Sequence, residues 1–251
     1  IVVVPDNVTH NKVPQITGLL AYQKDVEVLH LRKNDAWKVM AEEEKILQTI
    51  NETMAKMELM INLLHSRDIS ASTILRNEPA EFQETLQQWI SFKTLKRCYR
   101  ASEDGWHAQV FHLQCGEVGK TVTLIKVGKY IFGGYSDQAW GSVLHVNSAY
   151  KSSSNCFLFS FRNKDNLSPF KSHVYQNSNN AIYTDDSCGP SFGGGNDIYI
   201  PKNAKTSTSS TNFGYTYRPP SGYSYGNSNT RALLAGSRYF YATEIEVYYF
   251  A

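Results

Sequence analysis

Glu244-Ile245-Glu246-Val247-Tyr248-Tyr249-Phe250 is the stretch on which the fold reading turns. Ile245, Val247 and Tyr249 fall on one side of a period of two, and Glu244, Glu246 and Tyr248 on the other, as in a β-strand with two distinct faces. The same period recurs upstream, so further strands are predicted over Leu95–Ala101, Thr121–Val127, Tyr130–Tyr135, Cys156–Phe161, His173–Tyr175, Ala181–Thr184 and Asp197–Ile200. A short helix, about Gly105 to Gln114, interrupts the first two. Turn-rich stretches at Ser187–Gly195 and Lys202–Asn229 separate the later strands. Many short strands with few helices predict an α+β sandwich rather than a parallel α/β sheet. The chain's 16 Tyr and 12 Phe crowd into this half, where such rings suit half-buried pleated faces.

Upstream the period changes to that of a helix. From Asn34 or Asp35, either of which can cap a helix, no Gly or Pro interrupts residues 35–67. Glu42, Glu43 and Glu44 lie in the N-terminal half, where the helix dipole favours acids. Leu47, Ile50, Met54, Met57, Ile61 and Leu64 follow 3-4 spacing, three heptads of apolar a and d positions. Ile46, Leu59, Met60 and Leu63 widen that stripe. The pattern predicts a long coiled-coil-like helix over residues 34–68 that brings copies of the chain together. Residues 1–33, with two prolines, read as an irregular segment, in which Asp25–Leu29 has the one strand-like run. A joint at Ile69–Ser72 leads to a second helix, about Glu78 to Ile90. Asn77 is its expected cap, and Phe82, Leu86, Trp89 and Ile90 form one face.

Composition narrows the function. Among 251 residues 41% are apolar, enough for a sizeable core, and the net charge is +2. Residues 1–70 carry 8 basic and 10 acidic side chains and the rest 17 and 13, without the clustered Lys and Arg that phosphate binding needs. Nucleic acid is therefore not an expected partner. No stretch approaches the roughly 18 apolar residues of a membrane-crossing helix. The sequence opens Ile1-Val2-Val3-Val4-Pro5 without an initiator Met, which predicts a processed chain or a fragment. Asn7, Asn51 and Asn166 head Asn-x-Ser/Thr triplets, and Pro169 directly after the third disfavours its modification. Asn7 and Asn51 are thus candidate glycosylation sites, and they lean the expected compartment towards the extracellular, with cytoplasmic the alternative.

Order and spacing then point to a family. Arg97-Cys98-Tyr99-Arg100-Ala101-Ser102-Glu103-Asp104-Gly105-Trp106, with Phe111-His112 and Cys115 after it, resembles the opening of the TLDc domain family. So do Thr121–Lys126, Tyr130-Ile131-Phe132-Gly133-Gly134-Tyr135-Ser136 with Trp140, Ser154–Phe161, Gly189–Ile200 and the closing Thr243–Tyr248. The match spans about residues 72–251 and is most similar to secreted metazoan, cnidarian-type members that carry a helical segment before the domain. The resemblance implies a two-sheet antiparallel β-sandwich flanked by short helices, with no catalytic residues. It also implies, for intracellular members, protection from oxidative stress and binding to a vacuolar proton pump. Cys188 stands where an aromatic or small residue is usual before Gly-Pro, and Asn196 where His is frequent. Both departures fall in the loop that would be the first candidate contact surface.

Several chemical motifs compete with bland readings. Gly116-Glu117-Val118-Gly119-Lys120-Thr121 suggests a phosphate loop, but Gln114 stands where the pattern needs Gly, and a strand rather than a helix follows. Gly193-Gly194-Gly195-Asn196-Asp197 can cradle an anion or, with Asp185 and Asp186, a cation; the structural reading is tight approach where two sheets meet. His107 and His112 are five apart on a short helix and do not share a face, so with Cys115 they make no triad. Glu244 and Glu246 lie on one strand face about 7 Å apart, a spacing compatible with paired acid–base carboxylates, which sets up a hydrolase as an alternative. Cys98 with Cys115, and Cys156 with Cys188, can each form a disulfide or remain thiols. The expected protein is a non-enzymatic, cofactor-free homo-oligomer that recognises a protein partner or itself. Its expected contact residues are Asp185, Asp186, Asn196 and Asp197, with Tyr217, Tyr223 and Tyr225 around Pro219-Pro220. The alternatives are an intracellular pump-binding or oxidation-protective regulator, and the hydrolase.

Overall fold

A computed structural model describes residues 1–34, 36–65, 68–91, 94–141 and 148–251. Two compact units follow one another, Ile1–Leu64 and His65–Ala251.

The first unit corrects the expected irregular segment. Strands β1 (Val2–Val4), β2 (Leu20–Gln23), β3 (Val28–Lys33) and β4 (Ala36–Glu42) form one four-stranded sheet in that order, with a one-turn helix α1 (Asn7–His10) after β1. Asp6 caps α1, accepting from the Thr9 backbone N–H at 2.7 Å. Glu27 with φ 54° turns β2 into β3, and Asn34 with φ 54° turns β3 into β4. Asn34 is therefore a hairpin residue rather than a helix cap, in keeping with the demand of two-residue hairpins for positive φ. These strands are three to seven residues long and show no clean apolar–polar period of two. Their inner face is filled instead by Val4, Val13, Ala21 and Val28, and by His10 against His30 (4.3 Å) and Trp37 (4.5 Å). Helix α2 spans Glu43–His65, 23 residues, and starts nine residues later than the heptad pattern suggested. The Ala- and Met-containing run before it, good helix formers by composition, is held in β4 by pairing with β3. Asp35 and the side chains of Ile61 and Leu64 lie outside the described residues.

The second unit begins with a 3-10 turn at Ile69–Ala71 and helix α3 (Ala80–Ile90). Pro79 is the N-cap of α3, with no side-chain cap bond, so Asn77 does not serve. Then come β5 (Leu95–Arg100), α4 (Ala101–Asp104), α5 (Ala108–Cys115), β6 (Thr121–Val127) and β7 (Tyr130–Ser136). β8 (Ala149–Lys151), β9 (Phe157–Arg162), β10 (Phe170–His173), β11 (Ile182–Thr184) and β12 (Ser191–Phe192) follow. The last elements are β13 (Ser209–Ser210), α6 (Ser228–Ala232), β14 (Tyr239–Phe240) and β15 (Glu244–Phe250).

The architecture is mixed α+β with several antiparallel sheets and short helices. Its centre is a six-stranded sheet ordered β10-β9-β7-β6-β15-β5, antiparallel throughout. One face carries Val122, Leu124, Ile131, Phe159, Phe161 and Tyr248, covered by Ile74, Leu75 and the Phe82–Leu86 stripe of α3. Phe82 stacks on Phe161 at 4.8 Å and Trp89 on the same ring at 5.7 Å. The other face carries Ile125, Phe132, Leu158, Ile245 and Val247 against a second layer. That layer is not one sheet but two, β12-β11-β8 and β13-β14, filled in by Phe213, Leu233 and Leu234. Asp197–Ile200, expected as a strand, makes only single bridges at Ile198 and Tyr199. Gly134 allows the layers to close: a Cβ there would sit 2.7 Å from the Phe192 ring.

Candidate functional site

The expected contact loops are built around a buried carboxylate. Asp197 is fully buried, and its Oδ1 accepts from the backbone N–H of Gly214 (2.8 Å), Tyr215 (3.0 Å) and Tyr217 (3.3 Å), while Oδ2 accepts from that of Thr216 (3.0 Å). Burial pushes the Asp197 carboxyl up to about 7, against the opposite pull of these four backbone N–H groups. Gly193 makes the close approach possible: its φ is +82°, and a Cβ there would lie 2.0 Å from Asp197 Oδ2. The glycine run thus packs against its own aspartate. Asp197 faces inward and is corrected from a contact residue to the clamp that sets the loop 213–217.

The other expected contact residues separate. Tyr217 is also corrected: it is fully buried, donates to the Ala181 carbonyl at 2.6 Å, and packs edge-on against Phe192. Asp185 is buried and accepts from Ser148 and Ser187 hydroxyls, the Ser187 backbone N–H (2.7 Å) and the Tyr183 hydroxyl (3.2 Å). The Ser148 and Ser187 bonds hold its carboxyl well below the usual range. Asp186 is exposed, and Asn196 is half-buried in a left-handed turn at φ 58°. Among the described residues no group of three or more His, Cys, Asp or Glu side chains is placed to hold a metal ion. Tyr223 donates to Asp165 at 2.8 Å, and Tyr225, 45% exposed, packs edge-on against Tyr215. Of the expected contact residues, Asp186 and Tyr225 are therefore exposed and Asn196 and Tyr223 half-buried, beside the exposed Arg218.

The paired carboxylates of β15 are equally occupied. Glu246 is fully buried and accepts from Arg100 Nε (2.7 Å), Thr73 N–H and hydroxyl (2.9 Å each), Tyr248 hydroxyl (3.0 Å) and Ser72 hydroxyl. Glu244 accepts from the Ser102 backbone N–H (3.1 Å) and hydroxyl. Both lie on one strand face as the alternation predicts, but they fasten the 3-10 turn and α4 to the sheet. The partners Ser72, Thr73 and Arg100 lie 146 to 174 residues before Glu246, and no local signal joins them to it.

Cysteine and histidine chemistry is structural too. Cys98 and Cys115 form a disulfide across β5 and α5, while Cys156 and Cys188 are separate buried thiols, so the second expected pair is not made. Burial pushes the Cys188 thiol up to about 11, far from a nucleophilic thiolate. His112 is buried with both ring nitrogens facing backbone carbonyls, Nδ1 at 3.0 Å from Gly141 and Nε2 at 2.9 Å from Asp185 and Cys188. His107 instead caps α5. The Gly116–Lys120 segment leads into β6, a strand, as the bland reading of that motif requires. Alkylation of the unfolded, unreduced chain is expected to label two cysteines, and of the reduced chain four. Reduction should cost about 3 kcal/mol of stability for a loop of this length, read as a shift of the urea midpoint.

Asp185, Asp197, Glu244, Glu246 and His112 thus all bond within the domain itself. The TLDc domain model matches residues 69–251, nearly three quarters of the sequence, and the chain belongs to that family. The match starts at the 3-10 turn, three residues before the expected boundary. A search of curated proteins finds none that matches.

Proposed function

We propose that this chain is a non-enzymatic TLDc-type interaction protein that self-associates through α2 and presents several copies of its C-terminal domain to a partner. The observation that carries this reading is the apolar row on α2. Leu47, Ile50, Met54 and Met57, spaced 3-4, are 52%, 48%, 56% and 58% exposed in the single chain, with Leu59 and Met60 beside them. A row of that length in water is a contact surface awaiting its occupant. Multiplying weak domain contacts on one assembly raises avidity without new contacts. The Cys98–Cys115 disulfide favours an oxidising, extracellular setting over the intracellular pump-binding or oxidation-protective alternative. Asn7 and Asn51 are both exposed and open to glycosylation there. The hydrolase alternative loses support because Glu246 has no accessible face.

Sedimentation velocity tests the assembly. The wild-type chain is expected to run as a dimer or larger oligomer, and Ile50→Glu with Met57→Glu as a monomer with unchanged far-UV circular dichroism. A monomeric wild-type chain at tens of micromolar would sink the reading.

A further inference from the structure

β10 is an edge strand of the central sheet, paired on its inner side with β9. Beyond its end the outer side is covered: Arg218 N–H donates to the His173 carbonyl (2.9 Å), Tyr175 N–H donates to the Thr216 carbonyl (3.1 Å), and Val174 opposes Tyr217. Continuing that antiparallel register would set residue 220 opposite Lys171. Residue 220 is a proline, as is 219, and neither has an N–H to donate. The ladder stops there. By the two-residue period of a strand, the Lys171 N–H and C=O point outward as the His173 carbonyl does, and neither meets a partner among the described residues.

What the prolines leave is a groove of about 500 Å³ between the β10 edge and Arg218-Pro219-Pro220. Its lining is apolar at Phe170, Val174 and the prolines, and cationic at Lys171 and Arg218. The Lys171 ammonium lies 4.9 Å from the Phe157 ring centre and the Arg218 guanidinium 5.4 Å from that of Tyr175. These rings steady the cations, and neither has a carboxylate partner among the described residues. No carboxylate lines the groove among the described residues either. An open sheet edge asks for a strand, and the unpaired cations ask for acid.

From this we propose that the β10 edge receives an extended acidic segment of a partner protein, which adds a short strand at Lys171 and sets its carboxylates on Lys171 and Arg218. The proposal rests on reading the domain as an interaction module, and it names the class of partner.

Fluorescence anisotropy with a labelled, end-capped octapeptide of alternating Glu and Val, titrated with the full chain, tests it. Binding is expected to weaken as ionic strength rises. It should weaken about tenfold or more when Lys replaces Glu in the peptide, when alternate peptide amides are N-methylated, and in Lys171→Glu/Arg218→Glu. Lys205→Glu should leave it unchanged, since the Lys205 ammonium lies over the Trp106 ring and not in the groove lining. No binding of the Glu peptide, equal binding of the Lys peptide, or indifference to N-methylation would overturn the proposal. The peptide comparisons use the wild-type chain, so they decide even if the double variant misfolds. Light scattering on the same samples separates the two readings: an oligomer that ignores the peptide sinks only the groove, and a monomer that binds it sinks only the self-association. A loss of oligomer in Lys171→Glu/Arg218→Glu would make the groove an interface between copies and overturn the proposal.

Discussion

Glu246→Ala is expected to destabilise the C-terminal unit by about 3–5 kcal/mol, the cost of stranding a buried partner charge. Glu246 is fully buried, and the Arg100 side chain that it pairs with is 6% exposed. Removing the carboxylate leaves that guanidinium only Glu103 and the Ala71 carbonyl, and orphans the Thr73 N–H and the Ser72 and Tyr248 hydroxyls. Glu246→Gln keeps the shape but loses the charge and turns an acceptor into a donor, so about half of that loss is expected. Replacing both charges by apolar groups of similar volume, Arg100→Met with Glu246→Leu, should recover much of it, because no unpaired charge remains. Urea unfolding followed by tryptophan fluorescence measures all three. A loss under about 1 kcal/mol for Glu246→Ala would remove the structural role argued for this residue and reopen the hydrolase alternative.

The second large effect is Asp197→Ala, expected to cost about 4 kcal/mol or more, since it leaves four backbone N–H groups without their acceptor at roughly 1–3 kcal/mol each, partly relieved where water reaches them. Asp197→Asn should cost less, because one oxygen still accepts while the amide N–H₂ confronts the Thr216 N–H. The damage should be local as well as global. Amide exchange at Gly214–Tyr217 is expected to accelerate in Asp197→Asn before the central sheet opens, since all four of these N–H groups donate to the Asp197 carboxylate. Unchanged exchange there would show that the loop is fixed by packing around Phe213 and Tyr217 instead. Arg218 directly follows this loop, so Asp197→Asn should also weaken capture of the acidic peptide at the β10 edge.

Much of the fold was legible along the chain. Thr121–Val127 and Glu244–Phe250 come out with the bounds their alternation predicts, because each is a long strand whose two faces are loaded differently. The family match followed from motifs in order at fixed spacing. The helix α2 was legible in type but not in its start. Nothing local marks Ala36–Glu42 as a strand; its partner β3, two residues away across the Asn34 turn, supplies the backbone bonds that override helix propensity.

The site was less legible, for a physical reason. An Asp beside three glycines, or two Glu on one strand face, looks the same in sequence whether its oxygens meet a ligand or the protein's own donors. Those donors come from residues 214–217 for Asp197, and from Ser72, Thr73 and Arg100 for Glu246. The sequence alone determined the residue types, the periods and the prolines at 219 and 220. Tertiary structure decided which carboxylates are spent on the fold, which cysteines meet, and which sheet edge those prolines leave open. Burial and hydrogen-bond satisfaction depend on neighbours brought together only when the chain closes on itself.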